Sequence, residues 1–72
     1  MPETQPGKEM RQRILEAIRV IWETKGYSPS VRELAEEIQI GTHTCHYHLI
    51  VLERQGLIAF EPRLSRTLRV LK

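Results

Sequence analysis

The sequence predicts a mainly α-helical domain that closes with a small β-hairpin. Apolar residues recur at helical spacing in three successive segments, and each segment is bounded by residues that suit helix ends. After Gly56 the pattern changes to two short apolar runs of strand type. With 72 residues, of which 40% are hydrophobic, the chain has material for one domain with a small core.

The first helix is predicted over residues 8–25, after a flexible leader at residues 1–7. Gly26 suits the position after the helix, because a residue without a Cβ enters the left-handed conformation easily. Pro29 biases Ser28 away from the helical region, so a short connector is expected there. The predicted buried stripe of this helix follows spacings of three and four, and consists of Met10, Ile14, Leu15, Ile18, Ile21 and Trp22.

The second helix is predicted to begin after Ser30, because Ser30 and Glu33 have the spacing of a capping box. It is short and ends near Ile38. Residues 39–41 then form a tight turn, for which Gly41 is suited. The expected buried side of this helix is Leu34, Ala35 and Ile38.

The third helix is predicted over residues 42–55, with Thr42 as N-cap and Gly56 as the residue after its end. Its buried stripe is predicted to be Cys45, Leu49 and Leu52. The opposite side, with His43, His46, Tyr47 and Ile50, carries almost no charge. A helix face that only meets solvent is usually rich in Glu and Lys, whereas this face suits hydrogen bonds and van der Waals contacts with base edges. This helix is therefore interpreted as the recognition helix of a helix-turn-helix.

Residues 57–60 and 66–71 are predicted as the two strands of a hairpin, joined by a loop at residues 61–65. In the second strand Leu68 and Val70 alternate with polar neighbours, as in a half-buried strand. The order of helix, helix, helix, strand, strand is that of a winged helix-turn-helix. Residues 8–72 are predicted to form this one domain.

Charge is distributed unevenly along the chain, although the net charge is only +2. Residues 1–26 carry a net +1, residues 27–56 a net −2 and residues 57–72 a net +3. The excess of basic side chains in the predicted wing is a modest indication of a polyanionic partner.

Five residues near the start of the third helix are predicted to read bases, because this part of a recognition helix meets the base edges. They are Thr42, His43, Thr44, His46 and Tyr47. A second set is predicted to contact DNA phosphates through arginine side chains and the amides that open the second helix. It comprises Ser28, Ser30, Arg32, Arg63, Ser65 and Arg66. The alternatives are a solvated polar helix without a partner, and an ion pair between Arg32 and Glu36.

Three segments of the sequence resemble the LexA repressor family. Residues 26–34, Gly-Tyr-Ser-Pro-Ser-Val-Arg-Glu-Leu, are similar to the entry into the family's second helix. Residues 48–58 resemble the end of its third helix and the first wing strand, and residues 66–71 its last strand. The resemblance covers residues 8–71. It implies three helices and a two-stranded wing, sequence-specific binding to palindromic operators, and repression of transcription.

The chain departs from that family in two respects. The family's self-cleaving Ser/Lys peptidase domain, which also dimerises, has no counterpart in these residues. The turn before the third helix is one residue shorter than usual, and residues 41–44 are Gly-Thr-His-Thr where the family commonly has Ser, Asn and Ala. The family's operator is therefore not carried over, and a monomer or weak dimer is expected in free solution.

Other functional classes have less support in the sequence. His43, Cys45, His46 and His48 form two pairs on different faces of one helix, whereas zinc needs four converging ligands, so no metal is predicted. No catalytic arrangement or phosphate-cradling loop is present in the sequence, so neither an enzyme nor a cofactor is predicted. The single cysteine and the absence of a long apolar run predict a cytoplasmic protein without a membrane span. The alternative to DNA binding is a winged helix that binds another protein.

Overall fold

Three helices and a two-stranded antiparallel sheet make up the fold, as the sequence predicts. The computed structural model describes residues 7–61 and 63–71. The elements are α1 (Lys8–Lys25), α2 (Val31–Ile38), α3 (Thr42–Arg54), β1 (Ile58–Ala59) and β2 (Arg69–Val70). The predicted leader lies outside the described residues except for Gly7, which is the N-cap of α1.

Helix α1 contributes its Ile14 and Ile18 side chains to the centre of the core, where both are fully buried. Met10, Leu15 and Ile21 pack at the edge of this cluster. Each of these residues lies on the predicted stripe, at spacings of three and four that place side chains on one side of a helix. The stripe continues at its N-terminal end through Arg11, a charged residue that the apolar pattern does not include.

Trp22 is not the core residue that the pattern predicts, since 37% of its surface is exposed. Its indole Nε1 donates a hydrogen bond to the carbonyl oxygen of Leu68, 2.9 Å away. The side chain therefore ties the C-terminal half of α1 to the residue before β2. Because the sheet it meets is only two strands wide, part of the ring stays in solvent.

Helix α2 begins with the predicted capping box. The Ser30 hydroxyl accepts a hydrogen bond from the Glu33 amide at 3.1 Å, and the Glu33 carboxylate accepts one from the Ser30 amide at 3.1 Å. Leu34, Ala35 and Ile38 are buried as predicted.

The turn between α2 and α3 does not use the glycine that the sequence offers. Gln39 takes the left-handed conformation, with φ 62°, while Gly41 is extended. Hydrogen bonds from the amides of Gln39 and Ile40 to the carbonyls of Glu36 and Ala35 close α2 in a Schellman motif. The turn therefore occupies residues 39–41 as predicted, but its left-handed residue is Gln39 rather than Gly41.

Helix α3 buries Cys45, His48, Leu49 and Leu52. Its N-cap is Gly41 rather than Thr42, which is already helical, so the predicted Thr42 cap was wrong. Gly41 has no side chain to accept from the first amides of the helix. At the other end, Gly56 has φ 77° and the amides of Gly56 and Leu57 bond back to Glu53 and Leu52, so the glycine ends the helix as predicted.

The hairpin is formed by the two predicted segments, but its strands are shorter than predicted. Ile58 pairs with Val70 and Ala59 with Arg69. One further hydrogen bond, from the Leu71 amide to the Leu57 carbonyl, extends the pairing. Ile58, Phe60 and Leu68 are buried and close the core beside α1 and α3.

Candidate nucleic-acid interface

The start of α3 presents the five predicted base-reading residues on one continuous surface, the open face of α3. Thr42, His43 and Thr44 are exposed, Tyr47 is 61% exposed and His46 is half-buried. The first turn holds no acidic residue, and no side chain caps its amides. The positive end of the helix dipole therefore meets solvent among hydrogen-bonding side chains, none of which is acidic. A surface of this kind can approach a polyanion without repulsion.

Two ring contacts fix the orientation of this face. The His46 ring meets the ring of Phe60 edge to face, with centroids 6.1 Å apart. The Tyr47 ring meets the His48 ring in the same manner at 5.3 Å. Phe60 directly follows β1, so His46 links α3 to the hairpin. Aromatic contacts of this geometry stabilise by about 0.5–1.5 kcal/mol.

His48 lies beneath the open face and contacts the beginning of α1. Only 7% of its surface is exposed, and its Nδ1 lies 3.3 Å from Nη1 of Arg11, which is also buried. Since a guanidinium can only donate, Nδ1 must accept and carry no proton. Burial and the neighbouring Arg11 charge both lower the pKa of His48, so the neutral imidazole is favoured.

Gly7 closes this buried pair from the N-terminal side. Its φ is +88°, and a Cβ added there would come within 2.7 Å of His48 Cε1. The position therefore requires glycine for both its backbone conformation and its space. Sequence reasoning assigned Gly7 to the leader and missed the Arg11–His48 pair, because neither an apolar pattern nor a local spacing connects residues 37 positions apart.

The wing loop comprises residues 60–68, of which Pro62 lies outside the described part. The Thr67 hydroxyl holds its two ends together: it accepts from the Glu61 amide at 2.8 Å and lies 3.2 Å from the carbonyl oxygens of Glu61 and Leu64. Arg63 and Ser65 are exposed on the loop, as two predicted phosphate-contacting residues should be.

Ser28 does not have the position that a phosphate contact requires. It is 1% exposed, and its hydroxyl accepts from the Leu68 amide at 2.9 Å and donates to the Pro29 carbonyl at 2.9 Å. The hydroxyl is therefore used within the protein. The expectation that Ser28 contacts a phosphate is corrected: this side chain joins the connector before α2 to the residue before β2.

Arg66 is likewise engaged within the protein. Its guanidinium donates to both carboxylate oxygens of Glu33, at 2.9 and 2.8 Å, and to the Ser28 carbonyl at 3.2 Å. It also lies over the Tyr27 ring, 5.1 Å from the centroid. The hydrogen bonds from Arg66 to the Glu33 carboxylate lower the pKa of Glu33 to about 2, and the hydrogen bond from the Ser30 amide is the second largest cause. We therefore leave Arg66 out of the proposed phosphate contacts. Sequence spacing gives no signal for this pair, whose members are 33 residues apart.

The beginning of α2 already holds an anion, since the Glu33 carboxylate accepts from the Ser30 amide. A phosphate at that amide would meet the carboxylate charge, so the predicted use of this helix end for phosphate binding is not supported. The Ser30 hydroxyl keeps a proton to donate, because it only accepts in the capping box. Arg32 is exposed, and the described residues include no ion pair between it and Glu36.

Neither a metal cluster nor a membrane-spanning helix occurs among the described residues. Cys45 is fully buried on the side of α3 that faces the core. Burial raises the pKa of its thiol to about 11, so the sulfur is protonated at neutral pH. It behaves as a small core residue rather than as a ligand or nucleophile.

Comparison with known proteins gives a consistent result. A sequence model of the family described as LexA DNA binding domain matches residues 7–67. The LexA repressor of Thermosipho melanesiensis is 34% identical over 64 residues, covering 89% of this chain and 32% of that protein. The LexA repressor of Geobacillus thermodenitrificans is 42% identical over 62 residues, covering 85% and 30%. That of Frankia casuarinae is 40% identical over 70 residues, covering 94% and 27%. The chain spans about a third of the length of these relatives.

Proposed function

The chain belongs to the family of LexA DNA-binding domains, and on that premise we propose that it binds double-stranded DNA with α3 in the major groove. The observation that carries this proposal is the open face of α3, with five hydrogen-bonding side chains around a helix start that has neither an acidic residue nor a side-chain cap. Hydrogen-bonding side chains at this place suit the donor and acceptor pattern of base edges in the major groove.

Phosphate contacts are proposed for Arg63 and Ser65 of the wing loop, and for Arg32 and the Ser30 hydroxyl at the start of α2. The support is that Arg32, Arg63 and Ser65 are exposed and that neither arginine has an ion pair among the described residues. The half-buried Ser30 is included because its hydroxyl only accepts in the capping box and can still donate. Arginine is well suited to phosphate, because its guanidinium donates two parallel hydrogen bonds. Contacts of this kind supply affinity and register, whereas α3 supplies sequence preference.

We propose further that the domain acts in transcriptional repression at a palindromic operator. The support is that its curated relatives are named LexA repressors. A palindrome presents two half-sites, one for each copy of a domain. The described residues include no long apolar face beyond the core, so we propose that the chain itself is a monomer or a weak dimer in free solution.

Selection of bound sequences from a random duplex pool tests the central proposal. A recovered motif would establish both sequence-specific binding and the half-site. Affinity for the selected duplex should then be measured between 50 and 200 mM salt, where counterion release makes phosphate-dependent binding fall steeply. Failure to recover a motif, together with binding that does not change with salt, would favour the alternative of a winged helix that binds a protein.

Sedimentation of the free protein and of its complexes tests the assembly proposal. We expect one copy on a duplex with one half-site and two copies on a duplex with both. A stable dimer at micromolar concentration without DNA would contradict the proposal.

A further inference from the structure

Arg66 makes several contacts that hold the wing loop against the beginning of α2. Two parallel hydrogen bonds of 2.9 and 2.8 Å join its guanidinium to the Glu33 carboxylate. A third, of 3.2 Å, reaches the Ser28 carbonyl. The guanidinium also lies 5.1 Å from the centroid of the Tyr27 ring. A single side chain of the loop thus contacts the connector and the first turn of α2.

Neighbouring contacts direct Arg66 to this position. Leu68 lies two residues after Arg66, and its amide donates to the buried Ser28 hydroxyl. Arg66 itself has φ 61°, the left-handed conformation that a residue with a large side chain rarely takes. Strain of this kind persists only where surrounding contacts impose it. The backbone of the loop and the side chain of Arg66 are therefore arranged together around the Glu33 carboxylate.

We propose that Glu33 and Arg66 are positioning residues for DNA binding: their bidentate pair holds the wing loop in the orientation in which Arg63 and Ser65 reach the phosphates. Neither residue of the pair touches DNA itself. Because the loop also begins at Phe60, which contacts His46 of α3, holding the loop fixes the distance between the phosphate contacts and the open face. This inference rests on the proposed DNA binding.

The effect of removing a negative charge distinguishes this proposal from a direct phosphate contact by Arg66. If Arg66 bound a phosphate, loss of the competing Glu33 carboxylate would free it, and DNA binding would become tighter. If the pair positions the loop, the same loss lets the loop move, and DNA binding becomes weaker although the protein is less acidic.

Glu33→Gln is the appropriate variant, because glutamine retains an acceptor for the Ser30 amide and so keeps the capping box. Glu37→Gln is the matched control: it removes the same charge from the same helix at an exposed position that has no contact with Arg66. We expect Glu33→Gln to weaken affinity for the selected duplex roughly twofold to fivefold, the range of a well-formed exposed ion pair. We expect Glu37→Gln to leave affinity unchanged or slightly raised. Tighter binding by Glu33→Gln would overturn the proposal.

An exchange of the two charges gives a second measurement that does not depend on the first variant. Arg66→Glu should weaken binding strongly, and adding Glu33→Arg should recover more of the affinity than adding Glu37→Arg, which supplies the same charge away from the loop. Equal recovery by the two added arginines would show that net charge alone acts, and would overturn the proposal.

The mobility of the loop separates failure of this inference from failure of the proposed function. Amide relaxation of residues 63–67 by NMR, measured without DNA, should show lower order parameters in Glu33→Gln than in the wild type or in Glu37→Gln. If the wild type binds no duplex but the loop still loosens in Glu33→Gln, DNA binding fails while the holding of the loop stands. If the wild type binds DNA and the loop is unaffected, the positioning role is refuted and DNA binding stands.

Discussion

The two faces of α3 differ in what their side chains contact. On the face toward the core, Cys45, Leu49 and Leu52 are fully or almost fully buried. On the open face, Thr42, His43, Thr44 and Tyr47 extend into solvent, and His46 is held at the border by Phe60. One helix therefore contributes to stability on one side and offers hydrogen-bonding groups on the other. The two properties should respond separately to mutation.

The largest effect is expected on the core side, for Leu49→Ala. The side chain is fully buried, so its truncation leaves a cavity and should lower the free energy of unfolding by roughly 2–5 kcal/mol. In a domain this small, such a loss is a large part of the total stability. Chemical denaturation monitored by circular dichroism measures it. A cost below about 0.5 kcal/mol, which is ordinary for surface positions, would contradict the separation of the two faces.

On the open face, His46→Ala and Tyr47→Ala should alter sequence preference while the fold persists. We expect each to relax discrimination at one or two base pairs by roughly 1–3 kcal/mol. Tyr47→Ala should lower the melting temperature only slightly, because the side chain is mostly exposed and loses its ring contact with His48. His46→Ala should lower it slightly through loss of the Phe60 contact. Competition titration against single-base variants of the selected duplex provides the measurement. Unchanged preference in both variants would show that this face is not the reader.

Arg63 of the wing loop should contribute to binding through its charge and not through sequence preference. Arg63→Ala should weaken binding to all duplexes about equally, and should reduce the slope of log affinity against log salt by about 0.9 for one lost phosphate contact. Arg69→Ala, an exposed charge on β2, is a control for the general loss of positive charge. A change of sequence preference in Arg63→Ala, or a slope equal to that of the wild type, would contradict a phosphate contact.

The smallest effect concerns His48, which lies between the two faces. Because its pKa is lowered in the folded protein from the ordinary 6.5, the unfolded chain binds a proton more readily. The contribution of the neutral His48 ring to the free energy of unfolding is complete above pH 6.5 and is lost as pH falls through the lowered pKa. The free energy of unfolding should therefore decrease on acidification below about 6.5, and less so in His48→Gln, whose amide oxygen can still accept from Arg11. A wild type and variant with parallel pH profiles would exclude this titration. The Glu33–Arg66 pair affects the pH profile of stability only below pH 4.5, the ordinary pKa of a glutamate.

Those parts of the molecule that depend on short-range patterns could be predicted from the sequence. The helix spans, the capping box at Ser30 and the end of α3 at Gly56 all follow from spacings within a few residues. The buried stripe of α3 follows from apolar periodicity in the same way. Such features are local, so the chemistry of a few neighbouring residues decides them.

The remaining features depend on contacts between distant segments. The pattern treats Trp22 as apolar, whereas its indole N–H bonds to the carbonyl of Leu68 and its ring remains partly exposed. The roles of Arg66 and Ser28 could not be read from their spacing, because their partners lie far along the chain. A charged or hydroxyl-bearing residue near a predicted binding surface can contact the ligand, or it can instead form the internal contacts that hold that surface in place.

The burial of Cys45 under α3 has a practical consequence for measuring how the domain opens. Its thiol is fully covered and protonated at neutral pH, so a maleimide reagent can reach it only when the helix separates from the core. The rate of labelling, followed by mass spectrometry, therefore measures how often the helix opens. A duplex that binds only the closed form should lower the labelling rate in proportion to the fraction of protein that it occupies. The natural sequence thus carries its own chemical probe, and ligand affinity can be read from an unmodified protein without a fluorophore on the binding surface.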